Sequence, residues 1–157
     1  MTDMFSREHR SRIMSRIRSQ GNVATELRFI EIMRKQRITG WRRGMKLPGQ
    51  PDFVFRRERV VVFIDGDFWH GNPRNFRLPL SHIEYWTEKI SSNKRRDQRV
   101  NRLLRARDWS VIRFWQSALK NEEAVVSRLT KGLRAKKTQR RDAHNNQLQR
   151  TALTRRR

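Results

Sequence analysis

The sequence predicts an α/β fold in which a central β-sheet is flanked by helices. Residues 60–64 form an uninterrupted apolar run, as expected of a strand that is buried on both faces. A second short apolar run, Asp52–Phe55, is joined to it by Arg56-Arg57-Glu58, which predicts an antiparallel hairpin. Apolar residues recur at helical spacing on both sides of this hairpin. With 157 residues, the chain is long enough for one domain with its own core.

Two helices are predicted ahead of the sheet. Residues 6–19 predict a basic helix, which is either an arm that lies on DNA or a solvated amphipathic helix. Gly21 breaks it, and Asn22 is a suitable N-cap for a second helix that ends at Gly40. Three residues of the second helix recur at helical spacing and are predicted to face the core: Val23, Leu27 and Ile30.

The remaining elements follow in chain order. Trp41–Met45 predicts a short edge strand, and Leu47–Pro51 predicts a turn, because its two prolines exclude a helix. After the hairpin and a loop, Ser81–Arg107 predicts a helix that is interrupted near Ser91-Ser92-Asn93. Ser110–Phe114 predicts another strand, and a final helix follows it.

The charge of the chain predicts its class of partner. Lys and Arg number 38 against 15 Asp and Glu, so the net charge is +23 and the isoelectric point is near 11.9. Such an excess favours a polyanion, above all nucleic acid. No apolar segment approaches the roughly 20 residues that span a bilayer, and the N-terminus lacks a secretory signal, so we expect a cytoplasmic protein without a membrane partner. The absence of cysteine excludes disulfides and thiolate metal sites.

The composition divides the chain into three parts. Residues 1–20 are the basic N-terminal helix, residues 21–132 form the core domain, and residues 133–157 form a basic tail. From Lys131 onward the chain has ten Lys or Arg and one Asp, and apolar residues are sparse after Gly132. We therefore predict that the tail is mostly disordered and adds sequence-independent attraction to phosphates.

Acidic side chains and a histidine gather at the ends of the two hairpin strands. Asp52 opens the first strand after a Pro-Gly turn, and Asp65, Asp67 and His70 follow the second. Mg²⁺ prefers oxygen ligands and keeps several waters, so one or two carboxylates at neighbouring strand ends suit it. A histidine beside them is suited to proton transfer near neutral pH. Each residue also has a structural interpretation: the aspartates can cap turns, and His70 can be a packing residue.

Two aromatic pairs accompany this cluster. Phe68 and Trp69 lie between the acids and His70, and Tyr85-Trp86 opens the helix that carries Lys89. Core packing is the ordinary role of such residues. In a basic protein, adjacent aromatics at a strand end are also what insertion between base pairs requires.

These segments together resemble the very-short-patch repair (Vsr) endonucleases, a family of DNA mismatch nickases with a restriction-endonuclease-like core. The resemblance implies a central mixed β-sheet flanked by helices, with a basic helix at the N-terminus. It spans residues 6–130 in unbroken order. The matching segments are RSRIMSRI, ATELRF, LPGQPDFVF, VVFIDGDFWHG, EYWTEKISSNKRRD and WQSAL.

The resemblance implies roles for individual residues. Asp52 would bind Mg²⁺ through its carboxylate, and Ile64 would add its backbone carbonyl. His70 would be the general base or its partner, and Glu26 a supporting acid. Phe68, Trp69 and Trp86 would form a wedge that enters the DNA stack next to the mismatched pair. Met14 would approach the DNA from the opposite groove. Lys89 and Asn93 would lie near the scissile phosphate and the mismatch.

The implied reaction is a nick in one strand, 5′ to the thymine of a T:G mismatch left by deamination of 5-methylcytosine. The implied partners are mismatched double-stranded DNA and mismatch-repair proteins. The enzyme would act as a monomer in the bacterial cytosol, associated with the nucleoid.

The sequence departs from the family pattern in three ways. Asp67, Arg74 and Ser117 stand where well-known members hold a structural zinc, so we expect no zinc. Ile64-Asp65 replaces a threonine-histidine pair, and Asp65 is therefore a candidate catalytic residue and second metal ligand. The catalytic lysine of the wider nuclease superfamily has no evident counterpart.

Three functional hypotheses follow. The first is a Mg²⁺-dependent mismatch nickase. The second is a related restriction-like or mobile-element endonuclease without mismatch specificity. The third is a non-catalytic DNA- or RNA-binding protein on the same scaffold, which would not require Asp52, His70 and Glu26 together.

Overall fold

The computed structural model describes residues 25–75, residue 77 and residues 82–154. The predicted N-terminal helix, including Met14, lies outside these residues. The first described element is a helix that runs through residue 35, called α1 here. The elements that follow are β1 (Trp41–Arg42), β2 (Phe53–Phe55), β3 (Val60–Asp65), α2 (Ile83–Ala106), β4 (Ser110–Trp115), a 3₁₀ turn (Gln116–Lys120) and α3 (Glu122–Thr154).

The four strands form one mixed sheet in the order β1-β2-β3-β4. β1 and β2 pair antiparallel, as do β2 and β3, so the predicted hairpin is confirmed. β3 and β4 pair in parallel, with α2 as the crossover between them. The predicted fold class is confirmed: this is a mixed sheet flanked by helices, as in restriction-endonuclease-like folds.

Helices cover both faces of the sheet. Phe29, Ile32 and Met33 of α1 and Val125 and Leu129 of α3 pack on one face. Leu104 of α2 packs on the other face, together with Trp109. Because side chains alternate along a strand, β3 divides its residues between the two faces: Val60 and Val62 face α1 and α3, and Val61 and Phe63 face α2. All four are buried, as the continuous apolar run predicts.

Three helix predictions differ from the structure. The helix predicted to end at Gly40 ends at residue 35. The predicted interruption at Ser91-Ser92-Asn93 is wrong, because α2 is continuous from Ile83 to Ala106. Strong helix formers on either side outweigh the low propensity of these three residues, and Arg95 donates to the Ser91 hydroxyl one turn away. Leu27 was expected in the core but is 56% exposed, whereas its neighbour Phe29 is fully buried.

The predicted disorder of the tail also differs from the structure, in which α3 continues to Thr154. Beyond Gly132 the segment contains neither glycine nor proline and is rich in Ala, Gln, Lys and Arg, which favour helix. Its first turns are also fixed to the domain, because Lys136 pairs with Asp108 and Arg140 donates to the carbonyl of Arg57.

Candidate active site

Asp52 lies where the start of β2 meets the end of β3. This proximity follows from the antiparallel hairpin, and the backbone N–H of Ile64 donates to Oδ2 of Asp52 at 2.7 Å. Burial raises the pKa of Asp52, and the nearby charge of Asp65 raises it further. Among the described residues, no Lys or Arg forms an ion pair with this carboxylate. The negative charge of Asp52 is therefore poorly compensated. A bound cation would compensate it.

Asp65 ends β3 and is paired with an arginine. Arg113 of β4 donates from Nε to Oδ2 of Asp65 at 2.7 Å and from Nη2 to Oδ1 at 2.8 Å. Asp65 is only 6% exposed, so this bidentate pair compensates a buried charge. The role of Asp65 as a metal ligand stays a prediction, but both of its oxygens are engaged by Arg113.

His70 is paired with an acid that the sequence analysis did not select. Its Nδ1 lies 2.5 Å from Oδ2 of Asp97 on α2 and 3.7 Å from Oδ1 of Asp65. Burial would raise the pKa of Asp97, but the hydrogen bond and charge of His70 outweigh it, and the pKa is lowered. Arg113 reaches the same acid, with Nη2 at 3.1 Å from Oδ1 of Asp97. Asp65, His70, Asp97 and Arg113 therefore form one connected network.

A stripe along α2 explains how Asp97 and its neighbours face the sheet. Ile90, Asn93, Asp97, Asn101 and Leu104 recur at three- and four-residue spacing and so share one side of the helix. The apolar ends of the stripe are buried, and Asn101 accepts a hydrogen bond from Nη1 of Arg113 at 3.0 Å. Polar residues within an otherwise inward-facing stripe were the available sequence signal for Asp97. Arg113, the one charged residue in the predicted strand Ser110–Phe114, was a comparable signal.

A cleft of about 410 Å³ opens beside this network. His70, Asp97 and Arg113 line it, together with Lys94 and Arg128. The cleft thus combines a histidine–carboxylate pair with several cations, a combination that can hold a phosphate and move a proton next to it.

The three aromatic residues predicted to form the wedge lie together. The Phe68 and Trp69 rings are 5.3 Å apart, and Trp86 of α2 lies 5.2 Å from Phe68 and 5.9 Å from Trp69. All three are half-buried, and Tyr85, 5.1 Å from Trp86, is 59% exposed. The sequence placed these rings in two separate segments, and the fold brings them into one cluster.

The loop after β3 is fixed against α2 next to this cluster. Nδ2 of Asn93 donates to the carbonyl of Trp69 at 2.9 Å, so Asn93 contacts the wedge loop. Gly71 has a φ of +60°, and a Cβ there would lie 2.8 Å from the Lys94 side chain. The positive φ favours glycine here, and a Cβ would also lie 2.9 Å from Cγ2 of Ile90. Lys89 is half-buried, one helical turn from both Trp86 and Asn93.

Asp67 anchors the other end of the same loop. Its Oδ1 accepts from the Ser117 hydroxyl at 2.6 Å and from Asn72 and Asn75, and its Oδ2 accepts from the Ser117 backbone at 3.0 Å. Burial would raise the pKa of Asp67, but the hydrogen bonds from Ser117 and Asn72 lower it. At the positions where a structural zinc was considered, Asp67 and Ser117 instead contact each other directly.

Glu26 forms its ion pair outside this network. Its carboxylate pairs with the guanidinium of Arg43, and its side chain is 16% exposed. Its supporting catalytic role stays a prediction. Among the described residues, no group of three or more His, Cys, Asp or Glu side chains is arranged to hold a metal ion.

Sequence comparisons identify the family. Residues 2–75 match the family described as DNA mismatch endonuclease Vsr. A type II nicking enzyme, V.XorIIP of Xanthomonas oryzae pv. oryzae, is 38% identical over 130 residues, covering 82% of this chain and 95% of that protein. The DNA mismatch endonuclease Vsr of Escherichia coli K12 is 34% identical over 127 residues, covering 80% of this chain and 81% of that protein. The chain belongs to the Vsr family.

Membership of the Vsr family makes this chain a DNA endonuclease, a hydrolase with DNA as its partner. A second nicking enzyme, V.NmeDIP of Neisseria meningitidis serogroup C, is 31% identical over 137 residues, covering 85% of this chain and 92% of that protein. The similarity to these Vsr relatives therefore extends through the sheet and α2. Within the part of the chain that the structure describes, no helix has the length and apolar character to cross a membrane.

Proposed function

We propose that this protein is a Mg²⁺-dependent endonuclease that nicks one DNA strand next to a T:G mismatch. The observation that carries the proposal is the position of Asp52: a buried carboxylate without a basic partner among the described residues, tied to the Ile64 backbone and close to the network of Asp65 and His70. A carboxylate at this position would repel DNA phosphates, so DNA binding alone does not require Asp52.

Asp52 and the backbone of Ile64 are the groups that would hold the metal. In an extended strand, the N–H and C=O of one residue point to the same side of the strand. The N–H of Ile64 faces Asp52, and its carbonyl therefore faces the same edge. One carboxylate and one carbonyl fit Mg²⁺, which usually keeps several waters. Bound Mg²⁺ would offset the charge that develops on the phosphate during hydrolysis.

His70 is proposed as the group that moves the proton. Asp97 accepts a hydrogen bond from Nδ1, which fixes the tautomer and leaves Nε2 as the nitrogen that takes a proton from the attacking water. Arg113 holds Asp97 from the other side and so limits its movement. In this proposal Asp65 anchors Arg113, and the metal is bound by Asp52 and the Ile64 carbonyl.

The aromatic cluster supports recognition of a mispaired site. Phe68, Trp69 and Trp86 are only half-buried; Phe68 and Trp69 lie on the loop that leads directly from β3 to His70, and Trp86 of α2 packs against both. Insertion of such rings between base pairs requires unstacking, which costs least next to a mismatch. Insertion of these rings at a mismatch would place the scissile phosphate next to His70. Lys89 and Asn93, which lie on α2 with Trp86, would be beside that phosphate. We further propose Met14 as a contact from the opposite groove and Glu26 as a supporting acid.

The names of the relatives support two versions of this function. The E. coli relative is a DNA mismatch endonuclease, which supports mismatch specificity, and the X. oryzae relative is a nicking enzyme, which supports cleavage of one strand. The second candidate function is nicking without mismatch specificity. In either case we propose a monomer that acts in the bacterial cytosol, with mismatch-repair proteins as further partners.

A nicking assay tests the proposal. Wild-type protein and Asp52→Asn are incubated with T:G, other mismatched and fully paired duplexes, in Mg²⁺ or in EDTA. We expect Mg²⁺-dependent nicking of the T:G duplex by the wild type and a loss of at least 100-fold in Asp52→Asn, with unchanged duplex affinity. Asp142→Asn, an exposed acid on α3, is the matched control. Nicking by Asp52→Asn at the wild-type rate would refute the metal assignment, and equal cleavage of paired DNA would refute mismatch specificity.

A further inference from the structure

A second basic surface lies at the end of the sheet opposite the catalytic network. We propose that this distal surface binds the phosphate backbone of a second DNA segment while the catalytic end holds the first. The surface is formed by the β2–β3 turn, the end of α2 and the exposed part of α3. Its exposed cations include Arg56, Arg57, Arg107, Lys137, Arg140 and Arg141.

The fold fixes these three segments to one another. Nη1 of Arg140 on α3 donates to the carbonyl of Arg57 in the turn at 2.6 Å. Arg59 donates to the carbonyl of Arg107 at the end of α2, and its guanidinium lies 4.4 Å from the Trp109 ring. In both contacts an arginine is bound by a neutral carbonyl, and the acid whose charge acts on both arginines is Asp108. The surface is thus a fixed arrangement of cations rather than a set of independent side chains.

Few acids offset this charge. Asp108 is the acid next to Arg107, and Lys136 already pairs with it at 2.6 Å. Glu58 in the turn has one oxygen fully withdrawn from solvent. Bringing many like charges to one end of a domain opposes folding by self-repulsion, and a bound polyanion relieves it.

Duplex DNA fits this surface better than an anionic membrane does. A membrane-binding helix needs an apolar face. Between residues 134 and 147, the only apolar side chains of α3 are Ala135 and Ala143. Phosphate contacts need only cations with suitable spacing, and the side chains of Lys137, Arg140 and Arg141 are exposed there.

The separation from the catalytic network indicates a second segment. Asp65 ends β3, whereas Arg56–Arg59 precede its first residue, Val60. Six strand residues place the two ends roughly 20 Å apart. The phosphates that contact the catalytic network are therefore not those at the β2–β3 turn, which would be contacted by a different stretch of DNA. The inference rests on the proposed function only in taking DNA as the ligand at the catalytic end.

A bridging assay tests the distal surface without cleavage. A short T:G duplex is immobilised, full-length protein is bound in EDTA, and capture of a fluorescent, fully paired duplex is measured per bound protein. Two test variants, Arg56→Gln/Arg57→Gln and Lys137→Gln/Arg141→Gln, each remove two charges from the surface. Arg95→Gln/Arg99→Gln removes two charges from the exposed side of α2 and is the matched control.

We expect the wild type and the control to capture the second duplex and both test variants to lose at least five-fold in capture. The slope of log affinity against log salt for the second duplex should fall by roughly 2 in each test variant, since each phosphate contact contributes about 0.9. Capture by both test variants at the control level would overturn the proposal, as would an equal loss in the control. Failure of nicking with intact bridging would instead refute the proposed function alone.

Discussion

Replacing Arg113 with Met should be among the most destabilising single changes at the site. Arg113 donates to both oxygens of Asp65, at 2.7 and 2.8 Å, and contacts Asp97 at 3.1 Å. Asp65 is 6% exposed, so water does not replace the lost partner. Breaking a buried pair by removing one member costs about 3–5 kcal/mol, because it leaves an uncompensated charge. At roughly 2–4 °C per kcal/mol for a domain of this size, the melting temperature should fall by about 6–20 °C.

Thermal and urea unfolding of three variants measure this effect. Arg128→Met is the matched control, because Arg128 lines the same cleft and stacks on Phe114 at 5.2 Å, with no carboxylate partner among the described residues. Asp65→Asn/Arg113→Met removes the stranded charge and should recover part of the loss. The reasoning is refuted if Arg113→Met melts within about 2 °C of the control, or if the double variant is no more stable than Arg113→Met.

Three further predictions concern the neighbouring acids. Asp97→Asn removes the acceptor that orients His70, so nicking should fall by roughly 10²-fold or more at unchanged duplex affinity. Burial acts to raise the pKa of Asp97, but the His70 contact holds that pKa below its ordinary value of 3.8. The stabilising effect of Asp97 is therefore present above pH 3.8 and is lost as the pH falls through the lowered pKa. The urea stabilities of the wild type and Asp97→Asn should converge in that acidic range. Burial raises the pKa of Asp52, so the folded state loses stability as the pH rises through that raised pKa. Without metal, Asp52→Asn should therefore melt no lower than the wild type at neutral pH. Mg²⁺ should raise the melting temperature of the wild type but not that of Asp52→Asn. Asp67→Ala should cost about 1–3 kcal/mol and increase hydrogen exchange across residues 66–75, whereas Asn75→Ala, which removes one 3.3 Å contact, should change neither.

The sheet could be predicted from the sequence because its signal is local. A run of β-branched and apolar residues at Val60–Ile64 has one stable location, the centre of a covered sheet, and the basic turn before it sets the hairpin. The meeting of Asp52 with the end of β3 follows from the hairpin alone. The resemblance to a family placed the aromatic residues near the site before any tertiary contact was considered.

The partners of the catalytic residues could not be predicted in this way. Arg113 is 48 residues from Asp65, and Asp97 is 27 residues from His70. Such pairings depend on the register of β3 with β4 and on the rotation of α2, which periodicity does not determine. The interruption assigned to α2 shows the same limit. Asn93 has low helix propensity, but its side chain is used by a tertiary hydrogen bond to Trp69.

The two aspartates of the site solve an electrostatic problem by having different partners. Asp52 and Asp65 lie close enough for the charge of one to raise the pKa of the other, so two free carboxylates there would repel each other. Arg113 compensates Asp65 and extends to Asp97, which in turn orients His70. Asp52 is left without an ion pair among the described residues, although the charge of Arg113 acts on it and it accepts a hydrogen bond from the Ile64 backbone. A single cation at Asp52 would complete the charge balance, and Arg113, which contacts both oxygens of Asp65, would keep the proton-transfer pair in position.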